Sequence, residues 1–320
     1  MKKLILFFFI LSFSLSFTNL DILQLALERD GKIPVMGIEV NIFYDETPIP
    51  KISLCQVIYS GNNKVRREYF APPFFLGRVI IDDGKKKFDF DPRLRKLIIS
   101  PSGFISAQEI KDKIELIKRN YKILNIGSGV IADRKVIIIS LESKYTNLPV
   151  LKLWIDMENY FILRKDKYNM RGRLISQSFF TQVKYNESYP ETLFRVDPNW
   201  RPNVIIDDSN LKILDTKTEK SIIEKLPLGY VLEKIYLISK EDSLTYYYRF
   251  TDGINVISLF KSITPLKEFG EPKIFGPYKV MFEESILWKS FMWRADNWTY
   301  LLIGDIPDEK IEAFLNKIIP

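Results

Sequence analysis

Short runs of alternating apolar and polar residues, many joined by links of only two or three residues, constrain this chain more than any other feature of it. Residues 35–44, 52–59, 64–70, 77–82, 86–90, 135–141, 150–156, 160–165 and 173–185 have strand character. Gly61 with Asn62 and Asn63, then Asp82, Asp83 and Gly84, then Glu158 with Asn159, sit where hairpins would reverse. Links this short cannot house crossover helices, so the sheet is expected to be mostly antiparallel.

Helices are few. Residues 20–29 follow the capping candidates Thr18 and Asn19 and stop before Gly31. Ser106 and Glu109 form a capping box ahead of Ile110, Ile114, Ile117 and Tyr121, which recur on one helical face. Such a helix must lie against something, and its stripe would cover one face of the sheet. Beyond Pro198 and Pro202 the stretch 207–220 is polar and has no strand period, which predicts a linker over 206–222 between a domain at 17–205 and a second at 223–320. A second strand series follows at 230–239, 244–251, 254–261, 278–282, 286–294 and 298–303. Pro307 then opens a last helix striped by Ile311, Phe314, Leu315 and Ile318.

The first residues carry Lys2 and Lys3 and then an apolar run, Leu4 to Leu11, far shorter than the roughly 20 residues that span a bilayer. With Ser14 and Ser16 behind it, this predicts a signal peptide over 1–16 and export from the cytoplasm. The remaining 300 or so residues can bury two cores without disulfides, and the single cysteine, Cys55, is expected to be an inert buried thiol.

The chain has no histidine, which excludes Ser/His/Asp triads, Cys/His dyads and His-ligated zinc. The acid pairs Asp82/Asp83, Asp89/Asp91 and Asp207/Asp208 lack the pattern of a calcium loop and read as turn formers. Gly127, Ser128 and Gly129 lack the following Lys of a phosphate cradle. No enzyme, metal or cofactor is expected. The formal charge of +7 is spread over hairpin faces such as 64–67 and 85–87, without the interleaved aromatics of a nucleic-acid groove; an acidic partner or peripheral contact with an anionic membrane fits it better.

The apolar residues are in surplus, with aromatics at 14%. Leu151, Leu153 and Ile155 share one strand face, and Phe161 and Leu163 belong with them on the next strand. Ile38, Val40 and Ile42, with Ile175, Phe179 and Val183, extend the same kind of surface. Covered by Ile110, Ile114 and Ile117, this surface is either a packed core or the wall of a lipid pocket, and periodicity alone leaves the two about equal.

In their order along the chain, residues 65–69 (VRREY), 77–90 with an Asp-Asp-Gly turn before a Lys-rich strand, 150–164 (VLKLWIDMENYFILR), 248–260 (YRFTDGINVISLF) and 298–307 (WTYLLIGDIP) resemble the MucB/RseB family of sigma-factor regulators, whose N-terminal domain resembles the lipoprotein carrier LolA. The resemblance spans nearly all of the chain after residue 16. It implies a β-rich α+β fold: a LolA-like antiparallel half-barrel wrapped over helices, followed by a smaller α+β domain. It implies a periplasmic envelope-stress protein that binds the extracytoplasmic part of a membrane anti-sigma factor and is released by lipid or lipoprotein acyl chains. A LolA-like carrier of lipoproteins or lipids is the alternative, although LolA itself stops after one such domain. None of these motifs is a catalytic signature.

Overall fold

The computed structural model of the chain describes residues 17–209, 211–215, 226–240, 243–267 and 269–319. The expected signal peptide at 1–16 and residues 216–222 of the expected linker lie outside the described residues.

Helix α1 (Asn19–Arg29) starts where Thr18 accepts from the Asp21 amide while the Asp21 carboxylate accepts from Thr18, and it ends before Gly31 at φ +72°. Eleven strands and a second helix then build most of the first sheet: β1 (Pro34–Phe43), β2 (Lys51–Ser60), β3 (Val65–Ala71), β4 (Val79–Asp82), β5 (Lys86–Asp91), β6 (Lys96–Pro101), helix α2 (Ala107–Asn120), β7 (Tyr121–Ile131), β8 (Arg134–Ser143), β9 (Pro149–Asp156), β10 (Ile162–Tyr168) and β11 (Leu174–Tyr185). A twelfth, β12 (Val204–Asp207), completes it in the order β12-β6-β5-β4-β3-β2-β1-β11-β10-β9-β8-β7. The chain meanders from β1 to β6, crosses back as α2, and meanders from β7 until β11 lies beside β1. That return path lays α2 across one face of the sheet, as its apolar stripe requires, with Ile110, Ile114 and Ile117 buried. The sheet is open, with β12 and β7 as its edges, and every pairing in it but one is antiparallel.

The second sheet comprises β13 (Lys212–Leu214), β14 (Val231–Lys240), β15 (Ser243–Thr251), β16 (Val256–Ser262), β17 (Glu271–Phe275), β18 (Tyr278–Glu284), β19 (Lys289–Ala295) and β20 (Trp298–Gly304), in the order β13-β14-β15-β16-β20-β19-β18-β17. Helix α3 (Ile311–Ile318) closes one face, burying Ile311, Phe314, Leu315 and Ile318. The architecture is the β-rich α+β one expected.

Five strands are absent from the sequence reading: β6, the long β7, β12, β13 and β17. Val204–Asp207 pairs parallel with β6, and Lys212–Leu214, inside the stretch read as a polar linker, pairs with β14. Strands of three or four residues carry no readable period. The acid pairs are engaged locally: Asp82 accepts from the amides of Gly84 and Gly103, Asp83 from those of Lys85 and Lys86, Asp91 from those of Arg93 and Leu94, and Asp89 pairs with Arg78. Cys55 is buried, and that burial pushes its thiol up to about 12.

Candidate functional site: a half-barrel cavity and the junction groove

The strand register separates the apolar residues expected to share one pocket. Leu153 lies between Ile139 and Lys165, Ile155 beside Ile137 and Ile162, and Leu151 beside Leu141 and Lys167, all on the face beneath α1 and α2. There Leu153 and Ile155 join Ile110, Ile114, Ile117, Leu23 and Ala26 in one tightly packed cluster, with Leu151 against its edge. Phe161 and Leu163 belong to a neighbouring cluster with Val35, Val57, Tyr59 and Phe180.

Val40, by contrast, lies between Leu54 and Phe179, and Phe179 lies beside Arg164, whose guanidinium stacks 4.3 Å above the Trp154 ring. Ile38 and Ile42 share this opposite face by strand alternation, whereas Ile175 is buried at a register irregularity between β10 and β11, where alternation breaks. The expectation of one continuous surface is corrected here: Ile38, Val40, Ile42 and Phe179 face away from the helices, and Ile175 joins neither apolar cluster beneath them. The cause is an inversion on β1, whose polar residues Glu39 and Asn41 point inward. Glu39 meets the Arg67 guanidinium at 3.6 Å, and Asn41 lies 3.8 Å from the Cys55 sulfur.

These inward polar groups bound a cavity of about 150 Å³, lined by Ala26 and Asp30 from the α1 end and by Glu39, Tyr59, Arg67, Phe161, Leu163 and Phe180 from the sheet. Of the expected pocket residues only Phe161 and Leu163 line it. Arg67 donates to the Tyr59 hydroxyl at 2.9 Å, and burial raises the phenol well above its ordinary value. A space of this size takes about one benzene-sized group, so an acyl chain would have to widen it by parting α1 from the sheet.

A second, larger space of about 360 Å³ runs between α2 and the second sheet, lined by Glu109, Lys113 and Leu116 on one side and Leu232, Lys234, Arg249 and Ile254 on the other. Among the described residues Lys113 has no carboxylate within ion-pair distance, and its burial, reinforced by the neighbouring Lys165, pulls the ammonium below the ordinary lysine value. Across the mouth, Glu109 Oε1 meets Lys234 Nζ at 2.7 Å.

The two sheets lock together at the C-terminal end of α2. The Asn120 amide donates to the carbonyls of Asp252 and Gly229 at 2.9 and 3.2 Å, and Arg119 donates to Gly229 at 2.8 Å. The Tyr121 hydroxyl donates to the buried Asp252 carboxylate, whose other oxygen accepts from the Ile254 and Asn255 amides. Burial pushes the Asp252 carboxyl up, and burial together with the Asp252 carboxylate raises the Tyr121 phenol. Gly253, at φ +103°, lets this turn press on α2: a Cβ there would lie 3.0 Å from the Ile117 nitrogen and from Leu116 Cβ. The sequence signal was present, as an Asp-Gly step between two strands inside residues 248–260, but the step says only "turn" and not what the turn touches.

The Lys234 ammonium, with the Ser106 amide, holds the Glu109 carboxyl at about 2, below the ordinary 4.5. A depressed folded-state value means that this bridge contributes above the unfolded value and is lost as pH falls from about 4.5 to about 2. NMR titration of Glu109 should therefore show a midpoint near 2, moving up toward the ordinary value in Lys234→Met; a midpoint unmoved by that substitution would deny the bridge.

Residues 91–205 match the model of the MucB/RseB N-terminal domain. None of the curated proteins matches the sequence. Among solved structures, the complex of Pseudomonas aeruginosa MucA/MucB aligns with a TM-score of 0.60 at 14% identity, covering 92% of this chain and 96% of that one. MucB in complex with MucA(peri) gives 0.55 at 16% identity, covering 93% and 97%, and MucB alone 0.54 at 14%, covering 93% and 96%. The chain is MucB/RseB-like in sequence over that segment, and MucB-like in fold over nearly its whole length.

Proposed function

We propose that this MucB/RseB-like chain acts outside the cytoplasm, in the periplasm, and binds the extracytoplasmic part of a membrane anti-sigma factor. The carrying observation is the likeness to MucB across both sheets together, since a likeness confined to the first sheet would fit a carrier equally well. The groove between α2 and the second sheet is the candidate seat for the partner. It offers apolar walls in Leu116, Leu232 and Ile254 and, in Lys113, a cation without an ion-pair partner among the described residues, a setting suited to an extended segment carrying an acidic residue.

Lipid sensing is the finer part of the proposal. An acyl chain widening the cavity beside Phe161 and Leu163 would displace α1, which packs against α2 in the shared core, and α2 forms one wall of the groove. Lipid and partner would then oppose one another through the helix pair. The reading assigns no reaction to any residue.

Calorimetry with the purified chain tests it, using the extracytoplasmic segment of a single-span protein encoded beside an extracytoplasmic sigma factor. Saturable one-to-one binding is expected, weakened by Lys113→Glu and by added lipid. Absence of binding would overturn the regulator reading, and lipid transfer between membranes without any partner would favour a carrier.

A further inference from the structure

One end of the first sheet carries three loop tips that hold large apolar side chains out in solvent. Ile49 lies in the β1–β2 turn with Ile52 at the start of β2, Phe70 lies near the end of β3 with Phe74 and Leu76 in the β3–β4 connection, and Leu94 lies in the β5–β6 turn; all are between 43 and 77% exposed. The tips adjoin one another. Leu54 is paired with Ala71, which sets the start of β2 against the end of β3, and a Cβ on Gly77 would lie 3.4 Å from the Pro92 ring.

Their exposure is not slack. The β3–β4 connection is closed by bonds from the Phe75 amide to Pro72, Leu76 to Pro73 and Gly77 to Tyr69, with the Phe74 and Phe75 rings 4.6 Å apart. Arg78 stacks over Phe75 and Tyr69 and is fixed from behind by Asp89. Apolar groups are thus held rigidly outward as separate knobs, without the groove that a peptide would fill.

The charges around them are one-sided. The acids of the tips are engaged internally, Asp45 by Lys51, Glu46 by the Ile286 amide, Asp89 by Arg78 and Asp91 by two turn amides, and Asp197 in the turn before Arg201 accepts from the Asn199 amide. Arg93, Arg95 and the adjacent Arg201 are exposed and meet no carboxylate among the described residues; Arg95 donates only to the Arg201 carbonyl. Rigid apolar tips ringed by uncompensated cations are the complement of an anionic bilayer surface, which takes apolar side chains below its headgroups and cations among them.

We infer that this rim is a membrane-docking surface, on which the folded chain rests reversibly against a bilayer containing anionic phospholipid. The inference is independent of the partner groove and of the interior cavity, since none of its residues lines either space.

Flotation of the purified chain with intact vesicles tests it. Vesicles of equimolar phosphatidylethanolamine and phosphatidylglycerol should carry the protein, and phosphatidylcholine vesicles should carry much less. The triple variant Ile49→Ser/Phe74→Ser/Leu76→Ser should lose about tenfold or more in affinity while keeping the wild-type circular dichroism and melting temperature. Arg93→Ser/Arg201→Ser, with its apolar tips intact, should lose the preference for phosphatidylglycerol and its sensitivity to salt. Failure of the wild type to float overturns the inference, as does undiminished binding by both variants. Sedimentation of lipid-free protein supplies a further check. A dimer that the triple variant abolishes would assign the rim to a second copy of the chain and likewise overturn it.

Discussion

Leu153→Asp should destabilise the protein by about 4 kcal/mol or more, a large share of the roughly 5–15 kcal/mol that holds a typical domain folded. Leu153 is 1% exposed and sits in the cluster made with Ile110, Ile114 and Ile117. Truncating a leucine in such a place already costs about 2–5 kcal/mol, and the aspartate adds either an unpaired charge or a proton taken up to remove it. Ile42→Asp should cost far less, about 1–2 kcal/mol, because Ile42 is half-buried on the opposite face, beside the half-exposed Gln177 and the exposed Ile52. Urea unfolding of the two variants makes the comparison. Equal losses would mean that the two faces are not differently packed, and a loss under about 1 kcal/mol for Leu153→Asp would make its surroundings a wettable wall instead of core.

Gly253→Val is the second large effect, and it should part the two sheets without unfolding either. The backbone there is left-handed at φ +103°, which a β-branched residue adopts only at a cost of about 1–3 kcal/mol. The new Cβ would also stand 3.0 Å from the Ile117 nitrogen, and a backbone atom inside a helix cannot step aside. The strain falls on the contact that also carries the Asn120 and Tyr121 bonds to Asp252, so their loss should accompany it. Small-angle scattering should report a larger radius of gyration, and hydrogen exchange should speed up at residues 252–255 while the cores of both sheets stay protected. A variant as compact as the wild type would show that the junction tolerates a side chain at this point.

How far the sequence reached follows from what alternation encodes. The hairpin runs, the Ser106/Glu109 capping box and the stripe of α3 were legible because each is a local pattern, and all three form as expected. Alternation also separates the two faces of a strand, but it does not say which one is inside. On β9 the apolar set, Leu151, Leu153 and Ile155, points inward. On β1 the polar set does, because Glu39 finds Arg67 across the sheet and a paired charge can be buried where a lone one cannot. The partner that makes the difference lies 28 positions away in sequence, beyond the reach of any local pattern. Strand β6, at Lys96–Pro101, escaped for a different reason: one Lys, three apolar residues, a Ser and a Pro are too short and too uneven to show a period. The junction was beyond reach altogether, since Asn120 reads as a polar helix end and Asp252 as an ordinary turn residue until the two sheets are set side by side.

The chain leaves the first sheet at Asp207 and enters the second at Lys212, so only residues 208–211 join the two along this path. A tether that short keeps the surfaces of the junction at an effective concentration of the order of millimolar or higher, even while they are apart. Any separation is then easily reversed, because the second sheet cannot drift away. Any segment that binds between α2 and the second sheet competes against this local concentration as well as against the bonds of Asn120 and Tyr121, and a ligand that loosens α2 strengthens that competitor without touching it.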